Sequence, residues 1–293
     1  MKKKFLGVLA IACALCLAFV LAGCNNNKQE EPAAPEPAPA AAPDQGAAPA
    51  AALDGLIDGK FVVGFDADFP PYGYIGDDGG YTGFDLDLAK EVCDRNGWEF
   101  VATPINWDAK DGELNGGSIS CIWNGFTIEG REDGYTFTPA YMNNSQVIVV
   151  KSDSNINDIA GLAGKTVATQ VDSAALEVLE GDRADVAATF GALEQRDNFN
   201  TAFMELESGA VDAVACDFSV AAYQMAQKPD LYKTIGDVLS TEHFGVGFKL
   251  GNQALADAVT TTLQEMDKDG TVAKICEKYA DQGVSYEGWC LGK

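Results

Sequence analysis

The stretch LESGAVDAVACD, Leu206 to Asp217, carries a run of small and apolar residues that stops on a carboxylate, and it has a double upstream. LNGGSISCIWNG, Leu114 to Gly125, aligns with it without gaps: helix end, glycine, then an apolar strand. A second pair follows the same order, GKFVVGFD from Gly59 and GKTVATQV from Gly164, each a short loop feeding a strand that leads toward a helix. Helix-glycine-strand is a common unit, so one echo alone carries little. Two echoes in one order predict a chain built twice, as two similar lobes.

Outward from these stretches the chain alternates strand-like and helix-like segments, which predicts an α/β architecture. After KFVVGF, Asp85 is placed as the cap of a helix whose apolar positions Leu88, Ala89, Val92 and Cys93 share a face, with Gly97 stopping it. WEFVATPI, residues 118–123, SQVIVV, GKTVATQ, residues 211–216 and HFGVGFKL read as strands. Helices are expected from Ser173, over residues 200–208 up to Gly209, and over 253–268 and 271–280. In open α/β sheets ligands bind outside the carboxyl ends of the strands. Those ends fall at Asp66 to Phe69, Gly125 to Thr127, Gln170 to Ser173, and Asp217, two sets that can enclose a small molecule between facing lobes.

The beginning of the chain has a different character. Lys2, Lys3 and Lys4 precede an uncharged run from Phe5 to Gly23, a signal-peptide pattern. LAGC, ending at Cys24, resembles a bacterial lipobox, which implies cleavage before Cys24 and lipid on its sulfur. An uncleaved membrane helix is the alternative, but it gives no reason for a cysteine at that spot. Residues 24–52 are rich in Pro and Ala, with prolines at 32, 35, 37, 39, 43 and 49, and read as a tether.

With 44 acidic and 20 basic residues the chain carries a formal charge of −24, and loss of the three signal lysines makes it −27. Such a balance argues against nucleic acid, which needs a cationic face. His243 is the one histidine, no metal-ligand spacing occurs, and neither a GxxxxGK[ST] loop nor a GxGxxG turn is present. No metal, no cofactor and no catalytic residue are therefore expected. Five cysteines follow Cys24: Cys276 and Cys290 are placed to staple the tail, and Cys93, Cys121 and Cys216 fall in apolar stretches as buried thiols.

What the residues offer instead is a set suited to a zwitterion. Arg131 follows a strand end by a few residues, where its planar fork either grips a carboxylate or pairs with Glu132 or Asp133 at the surface. Ser173 caps a helix whose first amides attract an anion, or is a cap and nothing more. Asp217 ends an apolar strand, so its carboxylate needs a partner, either a bound ammonium or the helix starting at Phe218.

VGFDADFPPYGY, YTGFDLDLAKEV, INWDAKDGELNGGSISCIWNGFT, FTPAY, SQVIVV, LAGKTVATQVDSAA and LESGAVDAVACDFSVAAY, in this order, resemble the extracytoplasmic solute-binding proteins of amino-acid ABC transporters. The resemblance covers residues 60–280. It implies an α/β fold of periplasmic-binding-protein type: two α/β lobes joined by a two-strand hinge, residues 53–144 plus 245–293 forming lobe 1 and residues 145–244 lobe 2. By position it implies that Asp217 binds the ligand's α-ammonium with the Gly125 carbonyl and the Thr127 hydroxyl. Arg131 and the amides of Ser173 and Ala174 would bind the α-carboxylate. Phe69 and Trp107 would sandwich the side chain, with Asp66 and Asp87 reading its tip. Two features depart from the family pattern: the spacing from Thr127 to Arg131 is one residue short, and Asp172-Ser173-Ala174 stands where many relatives have Gly-Ser-Thr.

The reading is of a monomeric, lipid-anchored, extracytoplasmic receptor that binds a free amino acid and hands it to an ABC permease and its ATPase subunit. A carboxylate at Asp66 favours glutamine, histidine, lysine, arginine or cystine over aspartate and glutamate. The rivals are an enzyme of the cyclohexadienyl dehydratase type, which shares this fold, and a sensory amino-acid-binding lipoprotein.

Overall fold

The computed structural model of the chain describes residues 53–293. The signal segment, Cys24 and the Pro/Ala-rich tether lie outside the described residues.

Among the described residues there are twelve strands and eight helices. The first half holds β1 (Lys60–Phe65), β2 (Asp68–Phe69), β3 (Gly73–Ile75), β4 (Tyr81–Thr82), α1 (Phe84–Asn96), β5 (Glu99–Pro104), α2 (Lys110–Gly116), β6 (Cys121–Thr127), β7 (Tyr135–Phe137) and β8 (Met142–Lys151). The second half holds β9 (Thr166–Gln170), α3 (Ala174–Glu180), α4 (Ala184–Ala187), β10 (Ala192–Arg196), α5 (Phe199–Ser208), β11 (Ala213–Asp217), α6 (Phe218–Gln227), β12 (Tyr232–Lys249), α7 (Gln253–Lys268) and α8 (Thr271–Lys278).

The main sheet has the order β10-β9-β11-β8-β12-β6-β1-β5, with β7 added to β12, and β2, β3 and β4 form a small sheet of their own. Its two flanks mirror one another. β1 pairs in parallel with β5 and β6, while β9 pairs in parallel with β10 and β11. β6 and β11 then meet the long antiparallel strands β12 and β8, which pair with each other at the centre. The duplication seen in the sequence thus becomes two parallel units, and the two echoed stretches become β6 and β11, starting at equivalent positions. β8 and β12 connect the units, and their register shifts between Thr234 and Val238 and again before Ser240.

Local chemistry accounts for the element ends. α1 buries Leu88, Ala89, Val92 and Cys93 and stops at Gly97, whose φ of 68° is the left-handed cap that glycine adopts without strain. α5 starts where the Asn198 side chain accepts from the Thr201 amide and ends at Gly209. One sequence expectation fails here: Asp85 is not a cap. The N-cap of α1 is Gly83, and Asp85 lies one residue into the helix, on the face shared with Leu88, Ala89 and Val92, so its carboxylate points into the core.

One apolar cluster joins Phe61, Phe84, Val92, Trp123 and Phe248 on one side to Phe199, Phe203 and Leu206 on the other. A second cluster, with Ile148, Val167, Leu179 and Ala215, fills the far side of the β9 unit. All five cysteines among the described residues are free, so the structure does not join Cys276 to Cys290. Among the described residues no helix is long and apolar enough to cross a membrane.

Candidate functional site

Four strands of the main sheet, two from each unit, deliver their carboxyl ends to one place. Phe69, Trp107, Gly125, Thr127 and Arg131 from one side, and Gln170, Ser173, Ala174, Phe199 and Asp217 from the other, surround a single nearly filled space of about 10 Å³. Eight of the ten ligand-binding residues expected from sequence are in that set. Gly125 belongs there for a steric reason as well: its φ is 57°, and a Cβ would meet the Phe69 ring at 3.0 Å and the Phe244 ring at 3.2 Å.

One end of the space is cationic. The Arg131 side chain is buried over the Phe126 ring at 4.8 Å. Its Nη1 donates to the Thr127 carbonyl at 3.4 Å and its Nη2 to the Asp172 carbonyl at 3.3 Å. Neither acid adjoining Arg131 in sequence holds it. Glu177 on α3 does, accepting from Nη2 at 2.8 Å and from Nε at 3.2 Å. Ser173 caps α3 through the Leu176 amide, and its own amide faces the Gln170 carbonyl at 3.4 Å. Asp172, just before it, has a φ of 52°, a conformation glycine adopts more readily, and its carbonyl also accepts from the Trp107 indole N–H at 3.0 Å.

The opposite end is anionic. Asp217 makes no side-chain cap to α6; its Oδ1 accepts from Asn144 Nδ2 at 2.9 Å and Gln146 Nε2 at 2.8 Å. Burial, and then the neighbouring Glu242 carboxylate, push Asp217 up to about 8. Glu242, on β12, was absent from the sequence reading, yet its Oε1 takes the Thr127 hydroxyl at 3.0 Å together with the same two amides.

Asp66 lies beside this set, not in it. Its Oδ1 accepts from the Asp68 amide at 2.8 Å, and its Oδ2 from Gln170 Nε2, which reaches across from the other unit, at 2.6 Å. Burial raises its pKa. Asp66 and Trp107 line a second cavity of about 480 Å³, together with Asp68, Glu113 and Asp197, so four carboxylates border it. Phe69 packs at 6.0 Å against Phe199, and Trp107 stands edge-on to Phe126.

Asp87 belongs elsewhere. Its carboxylate meets Lys278 Nζ, at the end of α8, at 2.5 Å and the Tyr279 hydroxyl at 2.9 Å. The inward acid of that helix is Asp85, which accepts from the Gly125 amide at 2.6 Å and from the Tyr141 hydroxyl, and which burial pushes up to about 7. His243 is exposed and pairs with Glu129 at 2.6 Å. Gln170 and Phe199 were missed as lining residues; the strand-end rule had pointed to Gln170, and Phe199 follows the Asn198 cap that opens α5.

The arrangement presents opposite charges at the two ends of an apolar-walled space, the chemistry that a zwitterion needs. Over 230 residues the chain is 29% identical to the L-cystine-binding protein TcyJ of Escherichia coli (strain K12), covering 78% of this chain and 85% of that one. A substrate-binding protein of an ABC uptake transporter from Streptococcus pneumoniae, solved with bound histidine, superposes with a TM-score of 0.74 at 30% identity, covering 78% of this chain and 95% of its own. An ancestral arginine-binding protein bound to arginine gives 0.70 at 35% identity, covering 75% and 98%. The model of the bacterial extracellular solute-binding proteins, family 3, matches residues 61–282, and the chain belongs to that family.

Proposed function

We propose that the chain is the receptor of an amino-acid ABC transporter: it binds a polar or cationic amino acid between two lobes and delivers it to the permease and its ATPase, with no chemistry of its own. Lobe 1 is residues 53–144 plus 245–293, lobe 2 is residues 145–244, and β8 and β12 are the hinge strands. Asp217, the Gly125 carbonyl and the Thr127 hydroxyl take the α-ammonium. Arg131, with the Ser173 and Ala174 amides, takes the α-carboxylate. Phe69 and Trp107 cover the side chain, and Asp66 reads its donors.

The observation that carries this reading is the convergence of Arg131 and Asp217, from opposite units, on one nearly filled space. Because that space is nearly filled, admission of a ligand requires the units to part, with the Gln170–Asp66 and Trp107–Asp172 bonds rearranging. The four carboxylates around the neighbouring cavity support a side chain rich in donors. Cys24 carries the lipid that holds the mature protein at the extracytoplasmic face of the membrane, and the receptor acts as a monomer.

Calorimetric titration with the standard amino acids and L-cystine tests the reading. We expect micromolar affinity, about −8 kcal/mol, for arginine, lysine, histidine, glutamine or cystine. Tight binding of glutamate overturns the side-chain assignment. Appearance of an aromatic product on incubation with prephenate or arogenate overturns the non-catalytic one. Persistence of a Cys24→Ala variant in the membrane fraction overturns the lipid anchor.

A further inference from the structure

Asp217 does not stand alone at the anionic end. Asp217 Oδ1 and Glu242 Oε1 accept from the same two nitrogens: Asn144 Nδ2 at 2.9 and 2.7 Å, and Gln146 Nε2 at 2.8 Å to each. Two oxygens bonded to one nitrogen cannot be further apart than those two bonds laid end to end. Both acids are buried, and the other end of the Gln146 amide, Oε1, is buried without a partner. Three acceptors therefore crowd a site served only by neutral donors, and like charges this close disfavour full ionisation of both.

We propose, resting on the amino-acid-binding reading above, that Glu242 is a second carboxylate of the ammonium subsite, that the Asp217–Glu242 pair holds one proton in the free protein, and that the incoming ammonium displaces that proton into solvent. The exchange balances: the ammonium keeps its own protons, the pair goes from one negative charge to two, and one H⁺ passes to the buffer. Burial and the mutual repulsion of the pair act in the same direction, raising the affinity of the free site for a proton.

The surrounding charges do not remove the repulsion. Arg131 is the cation facing the pair, and Glu177 on α3 holds it from the other side. Tyr72, before β3, and Cys216, on β11, are pushed well above their ordinary values by burial and stay neutral. Thr127 on β6 and the two amides on β8 are neutral donors. The next residue on β12, His243, is turned to Glu129.

The sign follows from linkage. Protonation of the pair competes with the ammonium, so affinity rises with pH, about tenfold per unit while one proton is released per ligand bound. The test is calorimetry at pH 6.5 in two buffers of different ionisation enthalpy, with L-arginine, L-glutamine and L-cystine as probes, and Kd followed from pH 5.5 to 7.5. The expected result is about one proton released and a Kd that falls roughly tenfold per pH unit. Glu242→Gln removes the repulsion and leaves only burial, so it should release less proton than the parent and its Kd should level off at a lower pH, while His243→Gln should behave as the parent does. Binding by the parent without proton release, or a Glu242→Gln pH profile that coincides with the parent's, overturns the inference and leaves the binding reading standing. Absence of binding by all three probes overturns the binding reading and this inference with it.

Discussion

Asp85 and Asp217 are both buried carboxylates in an apolar interior, and the difference between their surroundings separates scaffold from receptor. Asp85 reaches inward from α1 to donors that serve it alone, the Gly125 amide and the Tyr141 hydroxyl. Its hydrogen bonds brace β6 from behind, at the residue whose other side meets the cleft. Asp217 ends β11 facing that cleft, shares its donors with a second acid, and has a cationic group only across the space, at Arg131. A buried acid whose donors are its own holds structure together. One that shares them with a like charge is stabilised further by a cation from outside.

The largest expected effect is on stability against pH, and it tests the two acids separately. Both carboxyls are raised by burial, Asp85 to about 7 and Asp217 to about 8. A raised acid means that the folded state holds a proton which the unfolded chain, with carboxyls near 4, has released. Both contributions are therefore fully present below about pH 4 and are lost together as pH rises from there, that of Asp85 until about pH 7 and that of Asp217 until about pH 8. At 1.36 kcal/mol per pKa unit each loss is on the order of 4 kcal/mol. Denaturant unfolding from pH 4 to 9 should show a shallower decline up to about pH 7 in Asp85→Asn, and no decline between about pH 7 and 8 in Asp217→Asn. Parallel profiles in all three proteins would remove the distinction between them.

Next in size is binding. Asp217→Ala and Arg131→Ala should each weaken the preferred amino acid by about 1.5–3 kcal/mol, the scale of hydrogen bonds to charged groups. If both variants fold and bind as the parent does, the zwitterion model fails. A smaller effect is expected on selectivity. Asp66→Asn keeps an acceptor for the Asp68 amide but removes one of the four carboxylates that line the acidic cavity. Competition titrations should show the affinity for arginine relative to that for glutamine drop by about tenfold, or roughly 1.4 kcal/mol.

The legible part of the site was the part set by strand ends. Asp66, Gly125, Thr127 and Asp217 sit where an apolar run stops, and period and position together mark such residues. The duplicated β6 and β11 were legible for the same reason. Glu242 was not, because it lies within an 18-residue strand whose register shifts where it crosses between units, so alternation along β12 does not say which residues face the cleft. Gln170 is a polar residue at the end of a buried strand, and only the opposing unit shows that its amide meets Asp66. Asp85 had a signal that was passed over: it precedes Leu88, Ala89 and Val92 by three, four and seven residues, which places it on the buried face of α1.

Asp87 provides the smallest effect and the sharpest contrast, since it shares a helix with Asp85. Two residues along an α-helix turn the side chain through about 200°, so the two acids cannot both face the cleft side of α1. Asp87 is committed to Lys278 and Tyr279, in a partly exposed ion pair of the kind that contributes about 1 kcal/mol or less. Asp87→Asn should therefore lower stability by no more than that and change Kd for the preferred amino acid less than twofold. A tenfold loss of affinity with stability unchanged would return Asp87 to the ligand's side chain, because a surface ion pair has no route by which to weaken binding and leave folding untouched.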